Sequence, residues 1–461
     1  LTVGVAGADG ATLLVVGLGG LSLVAVSLSR IEVPLALLCL GIGLPSARFE
    51  VGGAVVALSE AVVAAALAAY VTRQMLRKEP LIYPHRLHWP VLAVGLVYLV
   101  TFVRDPDWVL ASYEFGAIKV FYRLALGIAV YFVVASAVRR RDVPTMVGGL
   151  LAGVAINVAY GFQQWLTGDT LVGGLREGVG ALLDVHYGPY LGFGLAVSGA
   201  ALLAARPRPL RLTLAALLVA IAVQMIMANS LTAMVSLVLL GSTLLIAFVS
   251  VVRGRGVPLL ALGVLAIGAG ALWSAAYGGP VRGALAGTPL LERATEVLSG
   301  EDRSARSRAF HWELARELIG EHPWGMGLDG YRRYYLENIR YEGPGLTSTL
   351  FQGERGISAH NMFLDVGLAT GWLGIGAVAW LLLAAWMASL RRLREAHSRE
   401  EHALAWGLFL VVLQFTLMGL VFGNSLHLEY SSFIFFLALG LLAGRVWPGS
   451  REAVVEPARG R

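Results

Sequence analysis

The sequence predicts an all-α polytopic membrane protein with about 12 (12–13) transmembrane helices and one long, partly helical extramembrane loop. Three observations predict it. Of 461 residues, 57% are hydrophobic and 14% charged, whereas a soluble domain carries about 25% charge. The apolar residues fall in runs of roughly 20, the length that crosses a bilayer core. The Lys and Arg residues between those runs concentrate in alternate loops, as loop charge does in membrane proteins.

The candidate spans are roughly 11–29, 33–45, 52–72, 89–104, 118–138, 144–166, 187–205, 211–228, 230–251, 257–276, 361–390, 402–424 and 429–447. The second is short and bounded by Pro34 and Pro45, which makes it re-entrant or one arm of a tight hairpin with the first. The first run ends at Arg30 without a small-residue cleavage pattern, so no cleavable signal is expected. The one cysteine, Cys39, excludes a disulfide within the chain, and no Cys/His spacing suggests zinc. Neither a Gly-rich phosphate loop nor a soluble nucleotide-binding domain is present; the glycines are scattered through the spans, as they are where membrane helices pack closely. The whole chain, 1–461, reads as a single membrane domain.

Segments 73–86, 139–142, 206–211, 253–255, 391–400 and the tail after Gly444 carry 20 of the 36 Lys and Arg residues. All six fall on one side if the spans after Glu50 alternate, and the short loops opposite carry few basic residues. This charge bias assigns the rich side, with the C-terminus, to the cytoplasm and leaves 277–360 outside. The polar end, 448–461, reads as a flexible cytoplasmic tail.

Segment 277–360 is nearly balanced, with 10 Arg and 11 Asp plus Glu, and long loops are exempt from the charge rule. Within it, SARSRAFHWELARELIGEHPWGMG reads as an amphipathic helix stopped by Gly320 and Pro323. Its apolar face is Trp312, Leu314, Ala315, Leu318 and Ile319, and Arg308 lies on that face at offsets of 4, 7 and 11 from Trp312, Ala315 and Ile319. Arg308 therefore points where the helix meets protein or lipid. Behind it, EHPWGMGLDGYRRYY makes a tight turn, and the Tyr/Arg run containing Tyr331 is placed to line a carbohydrate or lipid surface.

His360 sits where this loop enters a long apolar run. An imidazole titrates near neutrality and can take a proton from a hydroxyl; a boundary histidine can equally be hydrogen-bonded and idle. Arginine offers a planar fork of donors that binds phosphate bidentately, so Arg308, and Arg176 in a short outer loop, are candidates for a phosphate-bearing group, with headgroup contact as the alternative for Arg176. Arg123 lies inside a span, a turn from Lys119. Intramembrane charges are functional candidates by default, although a structural pair with Glu114 or Glu60 accounts for Arg123 equally well.

Together these residues resemble the O-antigen ligase and O-antigen polymerase superfamily of bacterial membrane glycosyltransferases, over about residues 50 to 445. His360-Asn361, nine residues, then Gly371-Trp372-Leu373-Gly374 is similar to the ligase pattern His-[Asn/Ser/Gln]-x9-Gly-x-x-[Gly/Thr/Tyr] without a mismatch. Arg308…Trp312 followed by Pro323-Trp324-Gly325-Met326-Gly327 resembles the family's Arg-x-x-x-Trp…Pro-x-Gly-x-Gly segment, and Arg176 with Gly180…Pro189 resembles its earlier outer-loop arginine. One departure stands out: Leu231, in MANSLTAMVSL, occupies the place of an arginine that ligases usually carry.

The resemblance implies a GT-C-like architecture in the bacterial inner membrane, with the active site facing the periplasm. It implies transfer of a glycan from undecaprenyl diphosphate to an acceptor hydroxyl, with inversion and without metal or other cofactor. His360 would position or deprotonate the acceptor, Arg308 and Arg176 would hold the diphosphate, and Asn361 would orient the histidine or a sugar, with Trp312, Arg123 and Tyr331 as secondary candidates. The partners implied are the lipid-linked donor, lipid A–core or another glycan acceptor, and membrane lipids, with no nucleic acid. A polymerase or a protein O-oligosaccharyltransferase would use the same chemistry. Two rivals differ in kind: a flippase for lipid-linked glycans, against which stand the long loop and the absence of visible inverted repeats, and a peptidoglycan polymerase, for which Asp329 or Asp365 would be essential.

Overall fold

The structure is a computed structural model that describes residues 2–4, 25, 28–42, 48–51, 54–78, 80–104, 116–167, 184–227, 231–253, 303–338, 358–421, 423, 426 and 429–447. Thirteen helices account for nearly all of them. They are α1 Glu32–Ile42, α2 Leu58–Arg77, α3 His88–Arg104, α4 Gly116–Ala137, α5 Val143–Thr167, α6 Asp184–Ala204, α7 Arg208–Met227 and α8 Leu231–Arg253. Then follow α9 Arg303–Glu321, α10 Gly330–Asn338, α11 Met362–Glu395, α12 Arg399–Val421 and α13 Glu429–Ala443.

Six of these contain stretches long and apolar enough to cross a membrane: Ala117–Ala137, Arg140–Leu166, Tyr187–Ala204, Arg208–Met227, Met362–Glu395 and Arg399–Leu420. Four more apolar helices are shorter, among them Glu32–Gly41 and His88–Arg104. Each candidate span from 33–45 to 230–251, and from 361–390 to 429–447, thus coincides with a helix, and 11–29 and 257–276 lie almost wholly or wholly outside the described residues. A short three-stranded patch accompanies the helices. Thr2–Gly4 pairs in parallel with Arg48–Val51, which pairs antiparallel with Ala54–Ala57 directly before α2.

The main core is aromatic. Tyr98, Tyr131, Tyr187, Tyr190, Phe193, Phe415, Phe433, Phe435 and Phe436 are fully buried, and Phe415 stacks on Phe435 at 3.8 Å. Large rings supply much contact area per residue, which matters between membrane helices, where lipid is as apolar as the core and association rests on close packing. α13 packs on α4, α12 on α6, α11 on α3 and α12, and α1 on α5.

The arginine-rich loops meet at one end of the bundle. Arg140 pairs with Glu401 at 2.9 Å and Arg206 with Glu400 at 2.9 Å. The Arg392 guanidinium lies 4.8 Å over Trp447, and that of Arg445 lies 5.0 Å over Tyr83. Loops 73–86, 139–142, 206–211, 391–400 and the start of the tail therefore share a face, as their charge pattern predicts. At the opposite end Arg104, the last residue of α3, donates to the carbonyls of Trp324 and Gly325 at 2.7 and 2.9 Å. Helices α9 and α10 dock there against the first turns of α11. They do so through a second, smaller apolar cluster of Ala315, Leu318, Ile319, Tyr331, Ala359 and Leu368.

Candidate functional site

His360 occupies a backbone conformation that residues other than glycine seldom take. Its φ is +53°, in the left-handed region, where histidine is tolerated better than bulkier or branched residues. Neighbouring groups hold it there. The Asp365 carboxylate accepts from the Ser358 hydroxyl at 2.8 Å and from the Ala359 N–H at 2.7 Å, and the Ser358 Oγ accepts the His360 N–H at 3.0 Å. Asn361 is the N-cap of α11: its Oδ1 accepts from the N–H groups of Phe363 and Leu364, two donors that the first turn of a helix leaves without carbonyl partners. Its amide also donates to the Leu420 carbonyl at 3.2 Å, tying the start of α11 to the end of α12. Just past that end, a Cβ on Gly423 would lie 2.7 Å from the His360 Cα and 2.7 Å from the Asp365 Oδ2. Backbone strain kept in this way tends to mark functional positions.

The nine-residue spacing from His360-Asn361 to Gly371 also has a physical cause. Gly371 has φ +72° and ψ −163°, which breaks α11 two and a half turns after its start. The break frees the Leu368 and Ala369 carbonyls, and the Met326 and Gly327 N–H groups bond to them at 2.7 and 3.1 Å. In return the Trp372 N–H donates to the Pro323 carbonyl at 3.1 Å. A broken helix needs such partners because buried backbone polar groups must be satisfied. The Pro-x-Gly-x-Gly segment and the glycine after His-Asn are thus two halves of one joint, and it fixes α9 against the histidine turn.

α9 presents to that turn a face centred on His311, Ala315, Leu318 and Ile319, all at most 3% exposed. Of the apolar face drawn from sequence, Ala315, Leu318 and Ile319 are buried as expected, while Trp312 and Leu314 are half-buried and His311 takes a central place. Arg308 is half-buried one turn before His311 and Trp312, on the same face as expected. The indole Nε1 of Trp312 is buried and finds no hydrogen-bond partner among the described residues. His311 is the residue that sequence reasoning missed. Its ring lies edge-on to that of His360, with centroids 6.3 Å apart. Its Nδ1 shares a 2.5 Å hydrogen bond with the Tyr331 hydroxyl, and its ring leans on Tyr335 at 5.3 Å. Burial, and secondarily the neighbouring His360, hold His311 down at about 4. Burial likewise pushes the Tyr331 phenol above its usual range, so the pair is neutral near pH 7.

Tyr331 and Tyr335 are themselves buried beneath the histidines. The expectation that the Tyr/Arg run lines an open surface is corrected for these two: α10 turns them inward as a support. Arg123 is not part of this cluster. Its Nε donates to Glu60 at 2.8 Å, and the carboxylate is 2% exposed, which is the structural pairing foreseen from sequence. Arg176 lies outside the described residues. Among those described, no three His, Cys, Asp or Glu side chains are grouped as metal ligands would be.

A bundle of apolar membrane helices with a capped, strained histidine where a polar segment enters a broken helix defines the class: a polytopic membrane protein with a loop-borne histidine site. Residues 216–381 match the family model described as O-antigen ligase, so that this stretch is similar to the O-antigen ligase family. The matched stretch contains Arg308, His311, Trp312, both halves of the Gly371 joint, His360, Asn361 and Asp365. A comparison with curated proteins finds no match.

Proposed function

We propose that the chain is an O-antigen ligase-like glycosyltransferase acting at the outer face of the bacterial inner membrane, with its C-terminus cytoplasmic. The donor is a glycan on undecaprenyl diphosphate and the acceptor a hydroxyl of lipid A–core. The hydroxyl oxygen attacks the anomeric carbon, with inversion. The bond from that carbon to the diphosphate oxygen breaks, and the electron pair leaves with the diphosphate. The hydroxyl proton passes to the His360 imidazole, a step worth about 10²–10⁴-fold in rate. Arg308 and Arg176 face the developing charge on the leaving group, which guanidinium forks offset without a metal.

The observation that carries this reading is the His360 turn, fixed by Ser358, Asp365 and Asn361 beside the α9 face that bears Arg308. Leu231 stands where ligases usually carry arginine, and this leaves room for a polymerase or a protein oligosaccharyltransferase with the same chemistry. The test is transfer by the purified protein in nanodiscs, from a lipid-linked oligosaccharide to lipid A–core, to a second lipid-linked repeat and to an acceptor protein, with products identified by mass. His360→Ala should lose transfer to every acceptor. A variant that transfers normally rules the reading out, and one that loses flipping instead identifies a transporter.

A further inference from the structure

At the arginine-rich end of the bundle, α6, α7, α8 and α12 enclose a recess of about 330 Å3 lined by Leu202, Arg208, Arg211, Leu212, Ala215, Phe248 and Arg399. Its wall is mostly apolar, three arginine side chains take part in the lining, and no carboxylate does among the described residues. The acids closest in sequence are engaged elsewhere: Glu400 pairs with Arg206, and Glu401 with Arg140 and the backbone of His397. Arg399 donates to the Leu203 carbonyl at 2.8 Å, which holds it at the rim. Arg208 and Arg211 make no ion pair among the described residues.

The lining is sorted by depth. Arg208 opens α7 and Arg399 opens α12, so both stand where apolar helix begins, the level of lipid head groups. Leu212 and Ala215 lie one to two turns further in along α7, and Phe248 lies about 7.5 Å in from the end of α8 at 1.5 Å per residue. Below the recess Leu212, Val219, Val223 and Ile226 form an exposed stripe on one face of α7. α7 is also the least buried of the six long apolar helices, at 22%. Charge at the head-group level above an uncovered apolar track matches an amphiphile with an anionic head.

We propose that this recess is a binding site for an anionic phospholipid. Arg208, Arg211 and Arg399 hold the phosphate, and one acyl chain runs past Leu212, Ala215 and Phe248 onto the α7 stripe. Basic pockets between membrane helices recognise anionic head groups by the same pairing. The site is independent of the glycan-transfer reading and lies at the other end of the bundle.

The test is native mass spectrometry of the detergent-purified protein titrated with palmitoyl-oleoyl phosphatidylglycerol and, separately, with palmitoyl-oleoyl phosphatidylcholine. One phosphatidylglycerol should bind about tenfold more tightly than phosphatidylcholine. That preference should vanish in Arg208→Gln/Arg211→Gln and survive in Arg73→Gln/Arg77→Gln, which removes the same charge elsewhere at that end. Thermal unfolding of each variant confirms that it is folded. Equal affinity for the two lipids, a preference that survives in the first variant, or equal loss in both overturns the site. Glycerol phosphate binding as tightly as the lipid overturns the acyl track and leaves a free-phosphate site.

Discussion

The imidazoles of His311 and His360 meet edge to face, with centroids 6.3 Å apart and planes at 69°, and burial disfavours charge on the first. His311 is 1% exposed and bonded to Tyr331, while His360 is half-buried at the loop–helix junction. A proton arriving at this pair is kept off His311 by burial and by repulsion from its neighbour. His311, bonded to Tyr331, packs as a support against the His360 ring.

The bracing histidine predicts a pH signature in stability. In the unfolded chain this side chain protonates near 6.5, and in the folded protein only near 4. The unfolded state therefore binds the extra proton first as pH falls. The contribution is complete above about pH 6.5 and is lost down to about pH 4, by up to roughly 1.4 kcal/mol per unit. Thermal unfolding of the native protein should fall more steeply over that window than that of His311→Gln. Parallel curves would mean that His311 is readily charged in place.

The joint at Gly371 predicts a contrast between two glycines on one helix. A Cβ on Gly371 would stand 2.1 Å from the Pro323 carbonyl oxygen at a φ of +72°, whereas one on Gly376 meets nothing within 4 Å. Gly371→Ala should cost at least about 1–3 kcal/mol in strain and loosen α9 from α11, seen as faster proteolysis between Arg303 and Asn338. Gly376→Ala should leave unfolding temperature and proteolysis unchanged.

Most helices were legible in the sequence because a span must be long and apolar whatever its partners. α9 was legible because its apolar residues recur at helical spacing up to Gly320. The His311 support was not: helical periodicity counts hydrophobic residues, so a buried histidine at the centre of the face registers as a gap. Its signal was the spacing, since His311 is four residues before Ala315 and seven before Leu318. The break at Gly371 was hidden for a related reason. A glycine inside an apolar run looks like a packing glycine until the segment that bonds to the broken turn, 45 residues upstream, is known.

The Arg123–Glu60 pair predicts asymmetric loss. With side chains 14% and 2% exposed, the two charges offset each other, and removing one leaves the other without its main counter-charge in an apolar bundle. Arg123→Met should cost about 3–5 kcal/mol, while Arg123→Met/Glu60→Gln should recover much of that. The folded fraction of either variant should retain glycan transfer, because the two residues lie on α2 and α4 and the His360 cluster on α9, α10 and α11. A folded Arg123→Met protein without transfer would return this arginine to the site.

Asp365 separates a positioning role from a chemical one. Its two oxygens are taken by the Ser358 hydroxyl and the Ala359 N–H, and the hydroxyl oxygen in turn accepts the His360 N–H. In the proposed reaction a carboxylate committed to the backbone turn in this way would act through the histidine. Asp365→Asn keeps one acceptor oxygen and should lower the turnover number for transfer about tenfold with little change in donor KM, while Asp365→Ala should lose more. Ser358→Ala breaks the same chain of bonds, so Ser358→Ala/Asp365→Asn should be little worse than the poorer single variant, as coupled neighbours are. Were Asp365 itself the base, as in the peptidoglycan-polymerase reading, Asp365→Asn would abolish transfer as completely as His360→Ala, and Ser358→Ala would leave it nearly intact.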